Sequence, residues 1–282
     1  MSLSTGVAAW VLFSALLHAS WNLLIKGSPD RLLDTAGLAL AASLLCALTL
    51  PFLPLPAPAS RPLLALSVLI HVFYFLALVE TYRWADLSLA YPMMRGTAPV
   101  LVALALTALG EPPTWPLAIG IALVSGGIIL PASVGLAQGT VARRGVAMAL
   151  VMALIIALYT AVDAAGARRS GNPLAYNQWL FFFDAFGIGG IALWRRGGSL
   201  FAHLRRRWPH ALTGALLTVG SYGIVIWAMT VSPVAAVAAL RETSVIFAAA
   251  MGTLILKERL GAWGIAGAAA VAAGVVVIKL AS

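Results

Sequence analysis

Apolar residues run along this chain in long blocks, each close to the roughly 20 residues that a helix needs to cross a bilayer. Ten blocks are legible between turn and charge signals: Gly6–Lys26, Leu32–Phe52, Pro62–Tyr82, Asp86–Leu109, Thr114–Leu130, Arg144–Ala164, Pro173–Trp194, Pro209–Thr230, Pro233–Leu256 and Gly261–Leu280. The interruptions have turn chemistry: Gly27-Ser28-Pro29-Asp30, the proline-rich Pro51–Pro62, Gly110-Glu111-Pro112-Pro113 and Ser170-Gly171-Asn172-Pro173. Pro131–Arg143 and Arg195–Trp208 are the sizeable gaps, and neither can hold a soluble domain. The pattern predicts an all-α membrane protein of ten transmembrane helices. No Walker A loop is present, so any transport is secondary or facilitated rather than ATP-driven.

Composition agrees. The chain is 62% hydrophobic and 10% charged, with mean hydropathy +0.98. Soluble domains hold about 25% charged residues, because their surface must be polar. The net charge of +9 does not indicate nucleic acid, since Lys and Arg sit in short gaps between apolar runs, where they orient a membrane protein. The single cysteine, Cys46, allows no disulfide within the chain, and no cofactor or metal site is expected. The first apolar run has no basic leader and is too long for a signal-peptide core, so it reads as a first membrane helix. Arg far outnumbers Lys, which fits a GC-rich bacterial source, and the expected location is the bacterial inner (cytoplasmic) membrane, multi-pass.

The chain also repeats. With a shift of about 147 residues, Leu109 meets Leu256, Glu111 meets Glu258, Gly120 meets Gly267 and Gly127 meets Gly274. Ala103 meets Ala250, and Thr97 faces Ser244. Five helices per half is an odd number, so the second copy must be inverted in the membrane. Such inverted repeats place a binding site near the midplane, between the halves. The expected halves are residues 1–133 and 144–282, around a central cavity.

These residues carry a resemblance. Pro99, Gly110-Glu111, Gly120 and Gly127, echoed by Lys257-Glu258-Arg259-Leu260, Gly267 and Gly274, resemble the EamA domain, which occurs in tandem in the drug/metabolite transporter superfamily. His18-Ala19-Ser20-Trp21-Asn22 and Tyr159-Thr160-Ala161-Val162-Asp163 also look like that family, and the whole is similar to the YddG-type amino-acid exporters. Pro112-Pro113 departs from the pattern, where Arg-Leu is common. The resemblance implies both termini in the cytoplasm. The charge count implies the opposite: with the termini outside, inner loops hold twelve Lys and Arg and the outer side four. Both orientations stay open.

Ionisable groups at bilayer depth are expensive, about 2.5–3.5 kcal/mol each on insertion scales, and so point to a cavity or a pair. Arg95 lies mid-way along the fourth block, and Arg241 and Glu242 in the ninth. Under the repeat shift Arg95 aligns with Glu242. In one reading Arg95 or Arg241 grips a carboxylate while Glu242 faces an ammonium. In the other these charges merely neutralise one another. Asp184 reads as the cap of a polar patch with Tyr176 and Asn177. Asp163 and Glu80 lie near helix ends.

Tyr91-Pro92-Met93-Met94-Arg95-Gly96-Thr97-Ala98-Pro99 frees backbone carbonyls, and Pro92, Gly96 and Pro99 read as a hinge or as a plain kink. His18, Trp21 and Asn22 share nearby turns. His71, Tyr74 and Phe75 share a face, and Tyr159 and Asp163 are i, i+4. Tyr222 aligns with Phe75 under the shift. With Tyr91 and Tyr82, these rings suit a cavity that stacks flat or cationic groups, or serve as packing and interface anchors. Trp115, Trp208 and Trp263 read as anchors.

The chain therefore reads as a transporter working by alternating access, monomeric, whose partners are the lipid bilayer and a small-molecule substrate. The substrate is an amino acid or similar metabolite, aromatic amino acids included, and the direction is export. Aromatic cations, drugs or nucleotide-sugars are the alternative. No Gly-x-Ser-x-Gly or other catalytic spacing appears, so an enzyme is not expected.

Overall fold

A computed structural model describes residues 2–26, 28–84, 87–137, 143–256 and 261–281. The repeated motif Lys257-Glu258-Arg259-Leu260 and the side chains of Glu80 and Tyr82 lie outside the described residues. The described chain is almost entirely helical: α1 (Thr5–Lys26), α2 (Arg31–Thr49), α3 (Arg61–Trp84), α4 (Leu87–Ala108), α5 (Trp115–Ala137), α6 (Arg143–Arg169), α7 (Pro173–Arg196), α8 (Ser199–Val231), α9 (Val234–Arg241), α10 (Ser244–Leu256) and α11 (Ala262–Ala281). Eight described spans are long and apolar enough to cross a membrane. Two further long helices carry polar groups instead: Arg95, Pro92 and Pro99 in α4, and Asn177, Gln178 and Asp184 in α7.

Large apolar side chains cover the outside. Leu44, Leu48, Phe52, Leu104, Phe186 and Leu254 are among many that are mostly exposed, a surface that water would not tolerate but lipid does. This is a multi-pass membrane protein. The helix ends follow local chemistry. Asp30 caps α2 by accepting from the backbone N–H groups of Leu32 and Leu33. Asn172 caps α7 by accepting from Ala175 N, with Pro173 in the first turn, where a missing N–H costs nothing.

Three features differ from the sequence expectation. The Arg195–Trp208 gap is helical from Ser199. Its Leu200 and Leu204 pack on α2, and the backbone bends at Arg207 (φ −118°, ψ 21°), two residues before Pro209. Asp34 of α2 holds the bend by accepting from Arg207 Nε at 2.9 Å and facing His203 Nε2 at 2.6 Å. The expected single helix Pro233–Leu256 is broken between α9 and α10 at Glu242-Thr243. Thr243 Oγ1 donates to Leu240 O at 2.7 Å, and such side-chain bonding to backbone carbonyls competes with the helical ladder. By contrast α4 runs as one helix through Pro92, Gly96 and Pro99. Gly96 there serves packing: a Cβ would meet Ile129 Cγ1 of α5 at 2.6 Å and Ser125 O at 3.1 Å.

The helix contacts come in exchanged pairs. α1 packs on α8 and α6 on α3; α2 packs on α8 and α7 on α3; α1 packs on α9–α10 and α6 on α4. α2 packs against α7, and α5 against α11. Within the α2–α7 contact Cys46 is fully buried and its Sγ donates to Gln178 Oε1 at 2.7 Å. Along α5 and α11, Gly120 faces Gly274 while Gly127 faces Gly267, so the two helices run antiparallel. A Cβ on Gly127 would stand 2.6 Å from Gly267 O and 2.9 Å from Val271 N. Small residues let membrane helices approach this closely and gain dispersion energy without a hydrophobic drive.

Gly127→Ala should lower stability by about 1–3 kcal/mol, the usual cost of overpacking, read as thermal unfolding in detergent. Gly126→Ala, whose Cβ meets nothing within 4 Å, should not destabilise. Equal melting of the two variants would contradict the α5–α11 packing described.

Candidate functional site

The bundle encloses a largely apolar cavity of about 820 Å³ of empty space, its mouth included, into whose wall several polar and charged side chains are set. Its wall takes in residues from α1, α2, α3, α4, α6, α7, α8 and α9. Of the residues expected from sequence, His18, Trp21, His71, Tyr74, Phe75, Arg95, Tyr159, Tyr222 and Arg241 line it. Asn22, Tyr91, Asp163 and Glu242 are not among its lining residues. Asn22 Nδ2 donates to His18 O at 2.8 Å within α1. Tyr91 lies with its ring 5.9 Å from the Arg95 guanidinium.

Of the two readings open for Glu242, an ammonium partner or neutralisation by Arg95, the geometry matches the second: Glu242 pairs with Arg95, Nε to Oε2, at 2.7 Å, both residues being almost fully buried. The break between α9 and α10 makes this possible. Arg241 faces the cavity while the adjacent Glu242 reaches α4. Arg95 also approaches Ser244 Oγ at 3.3 Å and His18 Nε2 at 3.0 Å. Trp21 Nε1 donates to His18 Nδ1 at 3.2 Å. A neutral imidazole offers one acceptor nitrogen, so Trp21 and Arg95 compete for it and one donor is left short.

Arg241 has a different environment. It is 5% exposed, lies over the Tyr222 ring at 5.0 Å and donates to Tyr159 OH at 3.5 Å. It forms an ion pair with no carboxylate among the described residues. Asp163, fully buried, clasps the helices behind it: it accepts from Tyr176 OH at 3.0 Å and Tyr222 OH at 2.5 Å. The clasp fixes the Tyr222 ring on which Arg241 rests. Gly166 leaves room for it, since a Cβ there would meet Tyr176 Cζ at 2.6 Å.

Sequence reading missed Thr35, Leu38, Ala39, Phe181 and Thr218 in the wall. Thr218 was within reach, because the 147-residue shift aligns it with His71. The others are ordinary residues of apolar runs. Asp184 does not cap a patch with Tyr176 and Asn177. It lines the cavity, its Oδ1 3.7 Å from His71 Nδ1, while Tyr176 serves Asp163 and Asn177 Nδ2 donates to Val219 O at 3.4 Å. His71 stacks on Tyr159 at 4.6 Å. Among the described residues no three of His, Cys, Asp and Glu converge to hold a metal ion.

With this geometry in view, comparison with known proteins is informative. Residues 143–280, just under half of the chain, match the EamA-like transporter family. No curated protein matches the sequence. A solved structure described only as "Crystal structure of protein" shares the fold with TM-score 0.72 over 98% of this chain and 96% of its own, at 14% identity. At that identity the likeness is one of fold.

The Arg95–Glu242 pair makes its own prediction. Removing one partner of a buried ion pair costs about 3–5 kcal/mol, whereas replacing both with apolar residues is often neutral. Glu242→Gln should therefore melt well below the unmodified protein, and the double variant Arg95→Met/Glu242→Met well above Glu242→Gln. Additive losses in a thermal-shift series would show that the two side chains do not depend on each other.

Proposed function

We propose that the chain is a secondary or facilitative transporter of small metabolites, an amino-acid exporter working by alternating access as a monomer in the bacterial inner membrane. The observation that carries this reading is Arg241: a buried guanidinium in the wall of a cavity at bilayer depth, without a carboxylate partner among the described residues. A membrane protein keeps such a charge where a ligand supplies the counter-charge, and a guanidinium suits a carboxylate. The contested nitrogen of His18 beside Arg95 is a second place where a ligand oxygen would relieve two donors. The aromatic wall of Tyr74, Phe75, Tyr159, Phe181 and Tyr222 suits a flat apolar side chain. The match of residues 143–280 to the EamA-like transporter family supports transport as such.

The exchanged helix contacts and the antiparallel α5 and α11 support ten spans arranged as two inverted five-helix repeats, with the first EamA-like repeat in residues 1–133 and the second in 144–282. Alternating access would rock one repeat against the other around the cavity. In the first half of the chain, His18 and Trp21 lie in the C-terminal half of α1 and Thr35, Leu38 and Ala39 in the N-terminal half of α2, which packs on the arginine-rich start of α8. On the other face Arg168 Nε donates to Met229 O at 2.9 Å and Arg168 also pairs with Glu111 at 3.5 Å. Ala57 N donates to Ser170 O at 3.0 Å. With the orientation that the charge count favours, the arginine-rich face is cytoplasmic, which suits loading for export.

The test is counterflow of labelled amino acids, the aromatic ones first, in proteoliposomes. Arg241→Gln should cut flux by about 10- to 100-fold, the worth of a charge-assisted hydrogen bond of about 1.5–3 kcal/mol, with the protein still monodisperse. Undiminished flux in Arg241→Gln would remove the site assignment; absence of amino-acid flux in the unmodified protein would remove the substrate class.

A further inference from the structure

We infer that Asp184 is the cation-binding group of the cavity and recognises the ammonium of the substrate, the place that one reading of the sequence gave to Glu242. The inference rests on the amino-acid reading only for the identity of the ammonium's carrier. Asp184 is nine-tenths buried and lines the cavity. Its Oδ1 accepts no hydrogen bond, and the closest charged or titratable neighbour the structure gives it is His71, at 3.7 Å, beyond hydrogen-bond reach. A buried carboxylate oxygen without a donor is a costly state, and a native site relieves it with water, a proton or a ligand.

The surroundings favour an organic ammonium. His71 Nδ1 already lies 3.0 Å from Ser67 O and 3.3 Å from Ser67 Oγ. A proton on Nδ1 therefore points to the backbone of α3 and not to Asp184. Phe181, one helical turn before Asp184, faces the Tyr222 ring at 6.0 Å. On α8 Thr218 Oγ1, also in the wall, is buried without a hydrogen-bond partner. An ammonium has three donors. A carboxylate, a hydroxyl and the face of an aromatic ring are the acceptors it needs.

Arg241 and Asp184 do not neutralise each other. Between them stand Tyr159, which accepts from Arg241, and His71, which stacks on Tyr159 and borders Asp184. The other cation of the wall, Arg95, is spent on Glu242. The cavity thus presents one free positive and one free negative group held apart by two rings, a layout that fits a zwitterion and repels neither of its ends. A purely cationic ligand would meet Arg241 and a purely anionic one Asp184, so both lose against the zwitterion.

Binding to the purified full-length chain in detergent separates the possibilities, with L-phenylalanine, 2-phenylethylamine and 3-phenylpropanoate as the three probes. Asp184→Asn should weaken L-phenylalanine and 2-phenylethylamine by about 10-fold or more, the scale of one charge-assisted hydrogen bond. It should leave 3-phenylpropanoate unchanged or tighter. Asp184→Ser is the second variant should the amide disturb folding, and Arg241→Gln should show the mirror pattern, losing the two carboxylates and sparing the amine. Should the unmodified protein bind the amine through Asp184 but no amino acid, the inference stands and the proposed substrate class falls. Asp184→Asn binding all three probes as before, or losing all three alike, overturns it. So does loss only of the pH-gradient dependence of flux, which would mark Asp184 as a proton site.

Discussion

A charge inside a bilayer must find its opposite, and in this protein the pairing of Arg95 with Glu242 decides where the remaining charges go. The pair ties α4 to the break between α9 and α10. Because Glu242 is consumed there, the neighbouring Arg241 keeps its charge free at the cavity wall. Were Glu242 to pair with Arg241 instead, Arg95 would be stranded against His18 and Ser244, and the cavity would lose its cation. The break itself is small, two residues with a threonine bonding back onto the helix, yet it turns adjacent residues to two different tasks.

Around this polar centre the bundle is held by close approach rather than by bulk. α5 and α11 meet at glycines with no room for a methyl group, and Gly96 lets α4 lie against α5. Apolar bulk lies on both sides, where lipid is indifferent to it: alanine is joined in the buried core by leucine, valine, isoleucine and methionine, while leucine, phenylalanine and tryptophan stand on the exposed surface.

Much of this was legible in the chain and some was not. The apolar blocks marked the helices because a bilayer fixes their length. The glycines Gly120, Gly127, Gly267 and Gly274 stood out by their matched spacing, and they meet across one interface. Nine wall residues were legible because charge and aromatic rings are rare at depth and each needs a reason. Glu242 stayed undecided between an ammonium and Arg95 because spacing gives the depth of a residue but not which neighbour it faces, and the two-residue break turns it to Arg95. The helix over Ser199–Arg207 was hidden by its arginines, which read as a loop until Leu200 and Leu204 are seen packed on α2. Pro92 and Pro99 leave α4 one continuous helix, since proline in a membrane helix is tolerated when neighbours absorb the freed carbonyls.

Cys46 has a practical consequence. It is the chain's one thiol, sealed in the α2–α7 contact and engaged with Gln178. Maleimides and spin labels therefore meet no competing native sulfur at the surface. Reporter cysteines introduced at the rim of either face can measure distances between helices by fluorescence or electron paramagnetic resonance, with no need to strip the native background first.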